Sequence, residues 1–152
     1  MATVDIANAL RPEHALKCDA LVDTGASYLT LPLAWKARLG DFGAESSVQL
    51  ETATQALVIG VVCGPVSIKV EGFRGIFNEV LFLEMEPEDG RYEPLLGYLV
   101  LEQCGAAVDM IGHRLVPVKH MDLKPLRNAQ PAHRLGSLES SAGSLFSDHV
   151  SP

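Results

Sequence analysis

Asp23-Thr24-Gly25 is where residue types and spacing in this 152-residue chain point to a reaction. Hydrolysis of an amide without a covalent intermediate needs a base that takes a proton from water. It also needs an acid that protonates the carbonyl oxygen and then the leaving amine. Two carboxylates sharing one proton perform both tasks, because like charges held that close do not both ionise easily. A glycine two residues after the aspartate lets the backbone come close, so that its amide can donate to the carboxylate. The tripeptide alone is weak: average residue usage produces it in roughly one chain in forty of this length. An aspartate capping its own turn accounts for it equally well. The surroundings sharpen the reading. Leu21-Val22 precede it, Ala26-Ser27 follow, and a second apolar-apolar-glycine, Leu95-Leu96-Gly97, lies far downstream, directly before a short helical stretch.

Ala20-Leu21-Val22-Asp23-Thr24-Gly25-Ala26-Ser27 resembles the active-site loop of the retropepsin-like aspartic proteases. Leu95-Leu96-Gly97, followed by a helix and the Val108-Asp109 strand, resembles that family's second signature, and the order of elements agrees across roughly residues 3–118. The resemblance implies an all-β fold, a closed β-barrel of the acid-protease kind with one or two short helices, in which Leu95-Leu96-Gly97 packs beside the loop carrying Asp23. It implies that Asp23 is catalytic, that Gly25 supports it, and that the Thr24 hydroxyl locks two such loops together across a homodimer. Ala26 and Ser27 would line the substrate cleft. It also implies a flap from Val48 to Val58, with Thr52, Ala53 and Thr54 near its tip as substrate-binding residues. A tight flap turn calls for glycine, and Glu51 to Gln55 has none, so the turn is either wider or placed elsewhere.

One chain supplies one such loop. Asp41-Phe42-Gly43 lacks the hydroxyl residue, and Asp89-Gly90 sits in an acidic stretch. A carboxylate pair must then come from two identical subunits about a two-fold axis. The expected function is an aspartic endopeptidase acting on a peptide or protein substrate. Two other readings stay open. The same fold could serve as a catalytically silent dimerisation or peptide-binding module. An unrelated small-molecule-binding β-barrel would be a monomer with Asp23 in an exposed turn.

The elements that must position these residues are mostly strands. Thr3 to Ala9 and Ala15 to Val22 read as a hairpin around Arg11-Pro12-Glu13, and the second strand delivers the chain into Asp23. Tyr28 to Leu31 reads as extended, and Pro32 suits the first turn of a short helix that Gly40 closes. Trp35 and Tyr98 read as packing residues on helix faces. The run from Ala56 to Val62 is apolar and reads as a strand closed by Cys63-Gly64-Pro65. Val66 to Val70 then alternates as a half-buried strand. Ile76 to Leu83 is a further strand. Tyr98 to Gln103 is a helix capped by Gly105, and Ala106–Met110 with Arg114–Val118 make a last pair of strands. Residues 1–120 form the expected domain. Residues 121–152, rich in Ser, Pro, Ala and Gly, form an expected disordered tail.

Composition excludes several functions. Net charge is −7 and the 12 Lys and Arg are scattered, which argues against nucleic-acid binding. No apolar run approaches a membrane span. The start lacks a secretory signal, so a cytoplasmic location is expected. Cys18, Cys63 and Cys104 make no CxxC pair, and the five histidines show no ligand spacing, so neither a metal nor another cofactor is expected. Glu84 to Asp89 lacks the glycine and spacing of a calcium loop and reads as solvated.

Overall fold

Alternation of apolar and polar residues decides which face each strand buries, and along the first strand, β1 (Ala2–Asn8), the rule is visible at once: Val4, Ile6 and Asn8 are buried and Asp5 is exposed. The computed structural model describes residues 1–118, and the expected tail lies outside them. β1 pairs antiparallel with β2 (Ala15–Val22), from Ala2↔Ala20 to Ala7↔Ala15. Its other edge pairs with β5 (Leu57–Val70). β3 (Leu29–Pro32), buried throughout, runs parallel to β6 (Ile76–Leu83). β7 (Leu95–Leu96) runs parallel to β2 and antiparallel to β3.

The sheet order is β1-β2-β7-β3-β6-β5, and the β1–β5 pairing closes these six strands into a ring. β4 (Ala44–Glu51) lies outside the ring, on β5 alone. The interior is filled by Phe82, Ile6, Leu29, Leu31, Ile68 and Leu96, all almost completely buried. Each contributes about 1.5–3 kcal/mol by leaving water. This is the all-β, ring-closed architecture expected from the sequence.

Two helical segments complete the unit. A 3-10 helix, Leu33–Leu39, follows Pro32 and ends at Gly40, whose φ of 69° suits a residue without Cβ. Asn8 ties this segment to β1. Its buried amide nitrogen donates to the carbonyls of Leu39 (2.9 Å) and Asp41 (2.8 Å), while its Oδ1 accepts from the Leu10 and Arg11 amides. Helix α1 (Tyr98–Cys104) ends at Gly105 in the left-handed conformation. β8 (Ala106–Asp109) and β9 (Arg114–Pro117) then form a separate two-stranded sheet.

Two expectations are corrected. Cys63-Gly64-Pro65 does not end a strand, because β5 runs through it as one strand of 14 residues. The register against β6 shifts between Cys63 and Val66, and this irregularity absorbs a proline, which has no N–H for the ladder. Tyr98 is not a packed helix-face residue. It opens α1 at the surface with 39% of its area exposed, whereas Trp35 is packed on the core and meets Tyr92 edge-on at 5.8 Å.

The cysteines are free thiols, Cys63 and Cys104 buried and Cys18 half-buried. Burial, reinforced by neighbouring Asp19 and Glu45 respectively, pushes Cys18 and Cys63 up to about 11. A folded value above the unfolded one favours the native state below the unfolded pKa of about 8.5, and that contribution is lost as pH rises toward 11. Native protein at pH 8.5 should therefore react with iodoacetamide at least about tenfold more slowly than protein in denaturant. Equal rates in mass-spectrometric labelling would contradict the burial.

Candidate active site

β2 carries the chain toward Asp23 between two neighbours, and its last residues, Leu21 and Val22, lie opposite Leu95 and Leu96 of β7. Leu96 is buried at this junction, Val22 and Leu95 are half-buried, and Leu21 faces outward. The Asp23 amide donates to the Leu96 carbonyl at 3.1 Å, so the turn begins while still tied to β7. The Gly25 amide then donates to Asp23 Oδ1 at 2.9 Å, and the Ala26 amide to the Asp23 carbonyl at 3.2 Å. Asp23 is half-buried in this loop, while Thr24 and Gly25 are exposed.

The far side of the loop is held by α1. The amides of Tyr98 and Leu99, left without partners inside the helix by their place in its first turn, donate to the carbonyls of Ala26 (2.9 Å) and Ser27 (3.1 Å). Gly97 makes this approach possible. A Cβ there would stand 2.3 Å from the Tyr28 carbonyl oxygen and 2.6 Å from Ser27 backbone atoms. Leu95-Leu96-Gly97 thus packs beside the Asp23 loop as a strand, two hydrogen-bonding residues and a steric gap. The helix amides were not anticipated from the sequence, although Gly97 directly before a helix was the signal for them. The other end of α1 is fixed by Gln103. Its amide nitrogen donates to the Phe77 carbonyl (2.9 Å), and its Oε1 accepts from Asn78 (2.8 Å).

Thr52, Ala53 and Thr54 lie elsewhere, at the exposed tip of the hairpin formed by β4 and β5. Glu51 pairs with Leu57, which leaves a five-residue loop. The turn is wider than a two-residue hairpin, and the left-handed position falls to Gln55, with φ of 62°. The Thr52 amide donates to the Ala56 carbonyl (2.9 Å), and the Gln55 amide to the Thr52 carbonyl (2.8 Å). The Thr52 and Thr54 hydroxyls meet at 3.0 Å. These two hydroxyls close the turn on itself.

At the base of this hairpin, β5 pairs with β6 only from Val61 onward, so Leu57 to Gly60 are held by β4 alone. Gly60 marks the crossing. A Cβ there would fall within 2.7 Å of the Leu81 and Leu83 side chains. Leu57 and Ile59 point outward, 66% and 72% exposed.

Two grooves among the described residues, of about 480 and 510 Å³, lie away from the Asp23 loop. The first is lined by β1, β2 and β5, with Asp5, Lys17 and Lys69 at its rim. A smaller cavity of about 190 Å³ adjoins the loop's entry, lined by Met1, Val22, Val108, His113, Arg114 and Leu115. Among the described residues no cluster of His, Cys, Asp or Glu is arranged to hold a metal ion. No helix of the described residues is long and apolar enough to cross a membrane.

No protein-family model matches the chain, and no curated protein matches it in sequence. Among solved structures it is similar to the EIAV protease, determined in complex with the inhibitor HBY-793. That similarity has a TM-score of 0.51 and 24% identity, and it covers 72% of this chain and 92% of that one. At that identity the likeness concerns the fold: residues 1–118 have a retropepsin-like architecture, with Asp23-Thr24-Gly25 on the loop between β2 and β3.

Proposed function

We propose that the chain is an aspartic endopeptidase whose active site forms from two copies of the Asp23 loop. The observation that carries this reading is the loop's construction. The carboxylate of half-buried Asp23 accepts the Gly25 amide, and the backbone of its loop is braced by β7 on one side and α1 on the other, while Thr24 stays exposed beside it. Such bracing suits a group that must be held in one geometry rather than a turn that merely reverses the chain.

The mechanism follows from one carboxylate per chain. With the two Asp23 groups face to face, one carries the shared proton and the other is ionised. The ionised group takes a proton from water as it attacks the peptide carbonyl, and the protonated group donates to the carbonyl oxygen. Reversal of these roles protonates the departing amine. Thr24 would tie the paired loops, and Ala26 and Ser27 would line the cleft beneath the β4–β5 hairpin. No metal or organic cofactor enters the scheme. The substrate is an extended peptide or an exposed protein segment.

The test is the concentration dependence of cleavage of a peptide mixture. Below the dimer dissociation constant, rate should rise with the square of protein concentration, because two chains make one site. The rate should be bell-shaped in pH with its maximum on the acid side of neutrality, since only the singly protonated pair has both acid and base. It should be indifferent to chelators. A rate linear in protein down to nanomolar concentration, or one that climbs steadily into alkali, rules the reading out.

A further inference from the structure

The stretch that joins β6 to β7 carries the carboxylates of Glu84, Glu86, Glu88, Asp89 and Glu93 against a single cation, Arg91. These side chains are exposed, as a solvated stretch requires, but the backbone under them is built. Glu88 and Arg91 exchange backbone hydrogen bonds, both of 2.9 Å, around Asp89 and Gly90. Those two residues have φ of 48° and 74°, and consecutive left-handed positions make a tight type I′ reversal. The base of this small hairpin is pinned as well. Tyr92 meets Trp35 edge-on at 5.8 Å, and the Pro94 carbonyl accepts the amide of Leu21, two residues before Asp23, at 2.8 Å.

Against the hairpin lies the groove of about 510 Å³, lined by Met1, Glu88, Asp89, Arg91, Tyr92 and Glu93. It stops short of Asp23. Met1 also lines the 190 Å³ cavity that holds Val22, so the two recesses share a wall and lead outward from the entry of the Asp23 loop. Three carboxylates and one half-buried aromatic ring suit the head and stem of a basic side chain. The acids neutralise a guanidinium or ammonium group, and the ring accepts its face or its methylenes. The molecule makes such a contact nearby, where the Arg38 guanidinium lies over the Trp35 ring at 5.4 Å. Among the described residues Asp5, Asp41, Glu45 and Asp109 each have an ion-pair partner, and Glu88, Asp89 and Glu93 have none. Arg91 offsets one of these three charges.

We propose that this groove takes a Lys or Arg side chain of the peptide, a few residues from the bond that is cut, and gives the Asp23 site a preference for cationic substrates. The proposal rests on the peptidase reading above and adds a substrate class to it. The hairpin holds its carboxylates in place before any peptide arrives, so binding does not have to order the loop first. The net charge of −7 acts in the same direction at longer range, drawing cationic peptides in and turning acidic ones away.

Three decapeptides with one apolar centre and Lys, Gln or Glu at the flanking positions test it on the full chain. The Lys peptide should be cut with a kcat/KM at least about fivefold above that of the Gln peptide, and the Glu peptide should be the poorest. The Lys-to-Gln ratio should shrink as NaCl rises from about 0.05 to about 0.5 M, a measurement that needs no variant. In Glu88→Gln/Asp89→Asn/Glu93→Gln the ratio should fall to about one. These substitutions keep side-chain shape, and asparagine suits the left-handed position of Asp89, so the circular dichroism spectrum should not change. A wild-type ratio of one, a preference for the Glu peptide, or a Lys preference that survives salt or the triple substitution overturns the proposal. Failure of the peptidase reading looks different, because then none of the three peptides is cut. Fluorescence anisotropy of the same peptides, labelled, decides the groove's ligand in that case. Tighter binding of the Lys peptide that the triple substitution abolishes supports the assignment, and equal binding of all three overturns it.

Discussion

Asp23→Asn should yield a folded, dimerising chain whose peptide cleavage is slower by at least about 10³-fold, the scale of losing a positioned acid and base together. Asparagine keeps the volume and an Oδ1 that can still accept the Gly25 amide at 2.9 Å, so the loop has no reason to move. What vanishes is the proton exchange. A stronger form of the experiment mixes wild-type and substituted chains in equal amounts under conditions of free subunit exchange. Random pairing leaves about a quarter of the dimers with two aspartates, so activity should fall to about a quarter rather than a half. A fall to a half would mean that each chain works alone. Undiminished cleavage by the substituted protein would transfer the chemistry to another residue or to a contaminant.

The second large effect is on folding. Gly97→Ala should destabilise the chain by about 3 kcal/mol or more, at the upper end of overpacking costs, because the added carbon meets backbone and not a side chain that could rotate away. Relief requires α1 to part from the Asp23 loop, at the expense of the hydrogen bonds from Tyr98 and Leu99. The fall in Tm should be on the order of 10–20 °C for a domain of this size. Gly105→Ala is the useful contrast. Gly105 has φ of 74° with open space around it, so its substitution carries only the left-handed penalty of about 1 kcal/mol. Equal melting temperatures for the two variants would show that the Gly97 contact does not govern stability.

The parts of this molecule written as short local patterns were legible in its sequence. Asp23-Thr24-Gly25 and Leu95-Leu96-Gly97 are compact, their residue types are fixed by chemistry and sterics, and the structure brings them together. Val66 to Val70 declared itself through alternation. What escaped depended on distant partners. Gly64-Pro65 reads as a stop because proline lacks a donor, and only the register shift against β6 shows how one strand passes through it. The hairpin tip lacks the glycine of a tight turn and so reads as a wider turn or one placed elsewhere, and only the structure chooses between them: a five-residue loop with Gln55 in the left-handed position. Tyr98 sits at an apolar position by pattern, but the first residue of α1 has no helical neighbour to cover it. Which strand edges remain open is a property of the completed ring, so no window of sequence could contain it.

Gly60 gives the β4–β5 hairpin a mechanical character. Beyond it, Leu57 to Gly60 run about 13 Å on a rise of about 3.3 Å per residue, joined to β4 and to no other strand. Behind it, β5 is held between β6 and β4 as far as Cys63 and between β6 and β1 from Val66. The result is a lever whose fulcrum is the one position where β5 crosses Leu81 and Leu83 without a side chain. A rotation of roughly 10° there swings the tip by about 2 Å, a hydrogen bond made or broken, while the ring stays still. A side chain added at Gly60 would jam that fulcrum against β6 and fix the arm at a single angle, whatever lay beneath it.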